Sequence, residues 1–443
     1  MHVIGRRTRR NALPHHATSL LYVCIISGFN QPELEACLTH KPDDLILIVS
    51  NDKHIQNAAK LFTEVLQAEL PQLRIHRPDD GHSLDAEDIE CCQLWVNEAL
   101  RPLIESPEFK DRERVLNFTG GTKAQTAVLL TALDWNGLDY KALNAHHIQR
   151  LHPTPGARTY AVEHTPFIDA SPSAIARLHN QNVKDNNPVN PLCKMPGSLP
   201  LAQRIWDALT AQDPALEALF TRFGKVWGEG RKVPRWNHPS LTLDWSELGD
   251  PPTAAERRWF DALAVLAPSV IEDKGEQLVL PGNTSKNKKQ NKYLRDWISG
   301  IWLEQLVLHW VIEAGIPEGC VVSNIAGSPE GDEHKRELDL LLNYQGQAKL
   351  IEIKTDFPVS KESQDMEKQI SSLGDRFGRT KKLLFIGPQG KQQLDSGKIS
   401  ATQPIDKERF IQRCKVSGIT LIDSKEMLFA KIGGSLAHER GVV

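Results

Sequence analysis

Two kinds of hydrophobic pattern alternate over the first third of the chain. LLYVCIISG (20–28) and DLILIVSN (44–51) are nearly continuous apolar runs, typical of strands buried on both faces. IQNAAKLFTEVLQAEL (55–70) and AEDIECCQLWVNEALRPLIE (86–105) have the apolar spacing of amphipathic helices. RVLNFTGGTKAQTAVLLTALDW (114–135) has the pattern of a strand, a tight turn and a helix. Buried strands separated by helices predict a parallel sheet covered on both faces, as in a Rossmann-like α/β domain.

A second α/β pattern occupies the end of the chain. It starts with a basic loop and a strongly apolar helix over 284–315 and continues with a hairpin, RELDLLLNYQGQAKLIEIKTD (336–356). Because residues i and i+2 of a strand share a face, Asp339 lies on the polar face of one strand, and Glu352 and Lys354 lie on the polar face of the next. Such a face is often only a solvated surface with cross-strand ion pairs, so the alternation alone leaves its role open.

The chain between these patterns is less regular. Residues 166–203 are rich in Pro, Asn and Ser, which predicts a linker. Residues 204–283 contain helical segments and a hairpin that turns at Lys274-Gly275, so we expect a helical or winged-helix-like connecting region. The predicted organisation is therefore a first domain over 18–165, this linker, the connecting region, and a last domain over 284–443.

Composition narrows the possibilities only slightly. The 443 residues carry a net charge of −3, so any nucleic-acid surface must be a local patch. The seven cysteines are scattered without zinc-site spacing, which fits reduced thiols in a cytoplasm. Residues 1–17 are expected to form a disordered basic tail. No window of about 18 apolar residues exists, so no membrane span is predicted.

The turn NFTGGTKAQT (117–126) is a candidate anion site. Gly120 and Gly121 permit positive φ and a close approach of a ligand to the backbone. Thr119 and Thr122 offer hydroxyls, Lys123 offers a cation, and the next helix points its first N–H groups at the same place. The spacing is not that of a Walker A loop. The alternative is a plain strand-to-helix turn with a threonine cap.

Polar residues also follow the first two strands. Asn30 and Gln31 come after the first strand, and Ser50 and Asn51 end the second. Ligands of doubly wound sheets bind at the carboxyl ends of strands, so these side chains can contact a nucleotide base or ribose. The G-x-G-x-x-G fingerprint is absent, which disfavours a nicotinamide cofactor.

These loops and the NFTGGTK turn together resemble the CARF domain, the CRISPR-associated Rossmann-like sensor of cyclic oligoadenylates. The resemblance covers about residues 18–165. It implies a homodimer in which two sensor domains share one cyclic oligoadenylate. It also implies that residues 119–123 and the loop with Asn30 and Gln31 contact the ligand.

The hairpin resembles the PD-(D/E)xK nucleases, with ELD in place of the family's PD. Glu304 in the apolar helix, Asp339, and then Glu352-Ile353-Lys354 follow the family's order. Asp339, Glu352 and the Ile353 carbonyl offer the oxygen ligands that Mg²⁺ or Mn²⁺ prefers. Lys354 can orient a water or stabilise charge on the phosphate, and Glu304 can hold a second ion or anchor the first ligands. Glu337 is a reserve ligand on the same face.

The order of parts, CARF first and nuclease last, resembles the CRISPR ancillary nucleases of type III systems, in the form with one copy of each domain. It implies a cytoplasmic antiviral enzyme in which cyclic tetra-adenylate allosterically activates metal-dependent cleavage of RNA or DNA. Two alternatives stay open: a non-catalytic CARF and winged-helix transcriptional regulator, and a DNase that is not gated by cyclic oligoadenylate.

Four lysines precede the apolar helix: Lys286, Lys288, Lys289 and Lys292. They either track a phosphate backbone or form a solvated loop.

Overall fold

The computed structural model describes residues 19–78, 84–142, 147–153, 160–183, 190–229, 238, 240–266, 271–282, 288–327, 336–357, 377, 380–400 and 403–433. The predicted basic tail and Lys286 lie outside these ranges. The chain divides into two compact units, Met1–Ala170 with Arg177–Asn180, and Ser171–Ala176 with Gln181–Val443.

A seven-stranded sheet forms the centre of the first unit. Its strands are β1 (Leu20–Ile25), β2 (Asp44–Ile48), β3 (Arg74–His76), β4 (Glu113–Asn117), β5 (Gly137–Tyr140), β6 (His147–Pro153) and β7 (Tyr160–Pro166). They lie in the order β3-β2-β1-β4-β5-β6-β7, and the pairs from β3 to β5 are parallel whereas β6 and β7 are antiparallel. The Rossmann-like fold predicted from the buried runs is confirmed.

Helices connect these strands. They are α1 (Gln31–His40), α2 (Lys53–Glu69), α3 (Ile89–Trp95) with a π-helical turn (Val96–Leu100), α4 (Arg101–Ile104) and α5 (Lys123–Ala132), and α6 (Pro172–Leu178) follows the last strand. The strand order reverses between β1 and β4, because β2 lies on one side of β1 and β4 on the other. Helices α1 and α5 start at the carboxyl ends of these two strands, the position where doubly wound sheets bind ligands.

The region between the two predicted domains has its own elements. These are β8 (Asn182–Val183), α7 (Ser198–Thr210), α8 (Pro214–Glu229), β9 (Ser240–Asp244), α9 (Ala254–Ala264), β10 (Glu272–Asp273) and β11 (Gln277–Pro281), with 3₁₀ turns at Pro191–Lys194 and Trp245–Leu248. Strands β10, β11 and β9 form a small antiparallel sheet. Gly275 has φ +80°, so the turn lies where the sequence predicted it.

The end of the second unit is built on a six-stranded sheet. Its elements are α10 (Lys288–Asp296), a π-helical turn (Trp297–Ile301), α11 (Trp302–Glu313), a 3₁₀ turn (Glu318–Cys320), β12 (Val321–Gly327), β13 (Arg336–Tyr344), β14 (Gln347–Lys354), β15 (Lys381–Ile386), α12 (Pro388–Ser396), β16 (Lys398–Ser400), β17 (Gln403–Pro404), α13 (Lys407–Val416), β18 (Ile419–Ile422) and α14 (Lys425–Ile432). The order is β18-β15-β14-β13-β12-β8.

Both faces of this sheet are covered. Leu340, Ile351 and Phe385 join one apolar core with Trp302 and Trp310 of α11. Leu384 and Ile386 point to the other face and pack with residues of α12 and α13. Lys349 on β14 is 3% exposed and donates a 3.1 Å hydrogen bond to the carbonyl of Ile432 at the end of α14.

The expected basic loop is in part a helix. Lys288 starts α10, whose Asn291 and Leu294 are buried while Lys288, Lys289 and Lys292 are exposed. Lys, Gln and Arg are good helix formers, so the charge run does not break the helix. Among the described residues, no helix is long and apolar enough to span a membrane.

Candidate functional site

The hairpin register places the predicted acidic residues side by side. Leu340 pairs with Ile351 across β13 and β14, so the next residues outward, Asp339 and Glu352, face each other on one side of the sheet. Asp339 is held by the opposite strand, because the backbone N–H of Ile353 donates a 2.6 Å hydrogen bond to its Oδ2. The two carboxyl groups therefore converge at the open end of the hairpin.

Lys354 completes this cluster. Its Nζ lies 2.6 Å from Oε1 of Glu352, and the side chains are 31% and 2% exposed respectively. The other oxygen of Glu352, Oε2, is buried and has no hydrogen-bond partner among the described residues. A buried carboxylate oxygen without a partner is costly, so this atom has acceptor capacity that the protein itself does not use.

The charged groups of this cluster shift the pKa values of one another. Burial raises the pKa of Asp339 well above its usual value, and the charges of Glu352 and Glu304 raise it further. Burial also raises the pKa of Glu352, against the lowering effect of Lys354. Burial alone would lower the pKa of Lys354, but the neighbouring carboxylates outweigh it and the pKa is raised. Carboxylates crowded in this way are stabilised by added positive charge.

A hard divalent cation fits this donor set. Asp339 and Glu352 supply carboxylate oxygens, and the N–H and C=O of one strand residue point to the same side, so the Ile353 carbonyl faces the side where Asp339 lies. Glu304, in the first turn of α11, is half-buried and close enough for its charge to act on Asp339 and Lys354. The side chain of Glu337 lies outside the described residues.

The glycine turn of the first unit presents backbone donors. Thr122 caps α5 in a reciprocal capping box with Gln125, and Gly121 has φ +86°. The backbone N–H groups of Gly120 and Gly121 donate no hydrogen bond within the described part of the chain. Thr119 is fixed, because its Oγ1 accepts a 3.0 Å hydrogen bond from the N–H of Lys141. Free N–H groups at a helix start are what an anion requires.

Gly120 also packs very closely on its surroundings. A Cβ at this position would lie 2.6 Å from the carbonyl oxygen of Ile25 and 2.8 Å from Oε1 of Glu33. No other residue fits there without displacement of the backbone. The turn is thus seated directly on the end of β1 and on the first turn of α1.

The remaining predicted ligand residues reach the same edge of the sheet. The side-chain amide of Asn30 forms two 2.8 Å hydrogen bonds with the backbone of Ser27: Oδ1 accepts from the N–H, and Nδ2 donates to the carbonyl. Nε2 of Gln31 donates a 2.9 Å hydrogen bond to Oε1 of Glu35. Ser50 is buried and Asn51 is exposed, each following β2. Asn30 and Gln31 therefore bond within the protein in this conformation, while Asn51 is accessible.

Two buried carboxyls next to these residues were not predicted from the sequence. Glu35 forms a 2.6 Å ion pair with Lys141, and both are almost fully buried. Glu33 is 0% exposed, and neither of its carboxyl oxygens has a partner among the described residues. No local signal distinguishes Glu33, because acidic residues are common in the first turn of a solvent-exposed helix.

Two solved structures share the fold over almost the whole chain. Protein VC1899 from Vibrio cholerae superposes with a TM-score of 0.65 at 16% identity, covering 95% of this chain and 98% of that one. Can2 from Sulfobacillus thermosulfidooxidans, solved in complex with cyclic tetra-adenylate, superposes with a TM-score of 0.58 at 16% identity, covering 94% and 97%. The chain has the fold of Can2. These similarities confirm the predicted fold class, a Rossmann-like α/β domain followed by a second α/β domain.

A third structure is a type III CRISPR defence DNA nuclease activated by cyclic oligoadenylate. It superposes with a TM-score of 0.43 at 14% identity, covering 86% of this chain and 47% of that one, and this weaker similarity supports no further argument. No protein-family model and no curated protein matches the sequence.

Proposed function

We propose that this chain is a metal-dependent nuclease that cleaves RNA or DNA when cyclic oligoadenylate, most simply cyclic tetra-adenylate, binds its sensor domain. The observation that carries the proposal is the unpartnered, buried Oε2 of Glu352 beside Asp339 and Lys354. Three ionisable groups crowded at the end of two strands are costly for stability, and an ion-assisted reaction explains why they are kept there.

Each residue of the cluster has a separate task. Asp339 and Glu352 would hold Mg²⁺ or Mn²⁺ together with the Ile353 carbonyl. The ion would polarise the scissile phosphate and lower the pKa of a water molecule when bound. The Ile353 N–H fixes the orientation of Asp339, so that carboxylate needs no rearrangement. Lys354 stays protonated and places its ammonium where negative charge develops on the phosphate. Glu304 adds negative charge that favours a second ion or anchors the first ligands.

Regulation would start at the glycine turn of residues 119–123. The N–H groups of Gly120 and Gly121, which have no acceptor among the described residues, and Lys123 suit a phosphate, and Can2, which shares the fold, was solved with cyclic tetra-adenylate. We propose a homodimer that shares one ligand and changes the population of closed nuclease clefts, in the cytoplasm and in type III CRISPR defence. The substrate would be recognised with little base specificity.

The test is a cleavage assay on labelled RNA and on plasmid DNA with Mg²⁺ or Mn²⁺, with and without cyclic tetra-adenylate. Wild type is compared with Glu352→Gln, which keeps the shape and removes the charge, and with Glu408→Gln on the exposed face of α13 as the matched control. We expect cleavage by wild type and by the control, only with activator, and none by Glu352→Gln. Equal cleavage by all three proteins would refute the site. Cleavage without activator would instead support the ungated DNase.

A further inference from the structure

One buried acidic group of the first unit lies outside the acidic cluster of β13 and β14. Glu33, in the first turn of α1, is 0% exposed, and both of its carboxyl oxygens are without a partner among the described residues. Buried carboxyl groups normally have ion-pair or hydrogen-bond partners, because an unpaired charge in the interior is very costly. The position of Glu33 therefore requires an explanation.

The location of Glu33 next to the glycine turn of residues 119–123 provides that explanation. Oε1 of Glu33 lies 2.8 Å from the point where a Cβ on Gly120 would be, so the carboxyl is directly beneath the glycine turn of residues 119–123. In that turn the N–H groups of Gly120 and Gly121 have no acceptor among the described residues. The turn is at the switch point between β1 and β4, where this kind of sheet binds ligands. A negative charge at Glu33 would face any anion that rests on the other side of Gly120.

The surrounding charges do not neutralise Glu33. The groups that face it are Glu35 on the same helix, Lys141 after β5, and the Cys24 thiol on β1. Lys141 already pairs with Glu35 at 2.6 Å. Burial raises the pKa of Glu33 to about 8, against the lowering effects of its own backbone N–H and of Lys141. At neutral pH the side chain is therefore mainly a neutral carboxylic acid.

We propose that Glu33 is a positioning residue of the sensor turn, whose uncharged form lets a ligand phosphate rest on the N–H groups of Gly120 and Gly121. A bound phosphate disfavours ionisation of Glu33. At a pH where the free protein has Glu33 ionised, ligand binding is therefore coupled to the uptake of a proton by Glu33. This inference rests on the proposed cyclic oligoadenylate site and deepens it. By linkage, the affinity for the ligand falls as Glu33 loses its proton.

The affinity for cyclic tetra-adenylate should depend on pH only in the range where Glu33 ionises. Below pH 8 the carboxyl is already neutral, and the dissociation constant of cyclic tetra-adenylate changes little. Above about pH 8 the dissociation constant rises, by up to about tenfold per pH unit if one proton is taken up for each bound phosphate. Glu33→Gln, which imitates the neutral acid, keeps its affinity through the same range. Glu64→Gln, on the exposed face of α2, is the control and follows wild type.

The experiment is isothermal titration of full-length protein with cyclic tetra-adenylate, below and above pH 8, in two buffers with different ionisation enthalpies. The buffer difference gives the protons taken up per ligand. We expect uptake by wild type and by Glu64→Gln above pH 8, and none by Glu33→Gln. Circular dichroism checks that the variants fold. If Glu33→Gln does not fold, binding by wild type without proton uptake above pH 8 still overturns the role of Glu33.

The outcomes separate the two proposals. Tight binding by wild type with no proton uptake, or with an equal pH dependence in Glu33→Gln, overturns the role of Glu33 and leaves the sensor site intact. No binding of cyclic tetra-adenylate by wild type at any pH overturns the sensor site, and the role of Glu33 with it.

Discussion

The backbone N–H of Ile353 donates a 2.6 Å hydrogen bond to Oδ2 of Asp339, across the open end of the β13–β14 hairpin. The ladder between the two strands stops at Leu340 and Ile351, and the aspartate takes the place of the next backbone acceptor. The same bond therefore closes the hairpin and fixes the Asp339 carboxylate on the open end of the two strands. The end of the hairpin and the proposed metal binding both depend on the side chain of Asp339, and substitutions can separate these two roles.

Asp339→Asn should separate these two roles. The amide oxygen can still accept from the Ile353 N–H, but the negative charge that would bind the ion is lost. We expect cleavage to fall by about a hundredfold or more, since a metal contributes several kcal/mol to such reactions. The fold should survive, as measured by circular dichroism. Asp339→Ala should lose activity and stability together, and normal cleavage by Asp339→Asn would contradict its role as a ligand.

The crowded carboxyls predict how stability depends on pH. The pKa of Asp339 is raised in the folded state, so its contribution to stability is present below about pH 4 and is lost as the pH rises. In EDTA, the melting temperature of Asp339→Asn should therefore exceed that of wild type by more at neutral pH than at about pH 4. Added Mn²⁺ should raise the melting temperature of wild type and not that of the variant. A shift of equal size in both proteins would place the ion elsewhere.

Lys354 should act on the chemical step. Lys354→Met keeps the approximate length of the side chain and removes the charge that we propose acts on the phosphate. We expect kcat to fall by about a hundredfold, in the range seen when one transition-state donor is removed, with KM little changed. Lys381→Met on β15, an exposed lysine of the same sheet, is the matched control and should behave as wild type. A change confined to KM would make Lys354 a binding residue instead.

Gly120→Ala tests how the glycine turn of residues 119–123 packs on the end of β1 and whether it binds the proposed ligand. The new methyl group would lie 2.6 Å from the carbonyl of Ile25, so the turn must move away from β1. Overpacking of this kind costs about 1–3 kcal/mol, which we expect as a loss of stability and as weaker binding of cyclic tetra-adenylate. Calorimetry and thermal unfolding measure both. Gly319→Ala, where a Cβ meets nothing within 4 Å, should change neither.

Helix α10 offers a test of how the substrate is held. Lys288, Lys289 and Lys292 are exposed on it, and α10 leads through the π-helical turn to α11 and Glu304. If these lysines bind phosphates, replacing all three by glutamine should weaken binding of labelled RNA or DNA. It should also reduce the slope of log affinity against log salt by about 0.7–0.9 for each phosphate that is no longer neutralised. An unchanged slope would show that these lysines face solvent and do not bind phosphates.

The hydrophobic pattern predicted the parts of this fold that are buried on both faces. β1 and β2 are nearly continuous apolar runs, and the period of two in the hairpin predicted that Asp339 and Glu352 share a face, as the register shows. Exposed elements were missed. β6 and β7 carry His, Gln, Arg and Thr with little apolar alternation, so they have no such signal.

Long-range pairing was the other limit. β8 is a two-residue strand inside the region predicted as a linker, and it joins the second sheet only because β12 offers a free edge. The burial of Glu33 likewise depends on the approach of the turn after β4, which brings distant parts of the sequence together. Neither the pairing of β8 with β12 nor the burial of Glu33 can be predicted from the local sequence.

The buried hydrogen bond from Lys349 to the carbonyl of Ile432 sets a practical boundary for shortened versions of this protein. Deletion of α14 would remove the carbonyl that accepts the hydrogen bond of the buried Lys349 ammonium on β14, one of the two central strands of the sheet. That strand also ends in Glu352 and Lys354. Removal of Ile432 would thus disturb the strand that positions the acidic cluster. Any truncation meant to isolate the second unit should keep Ile432.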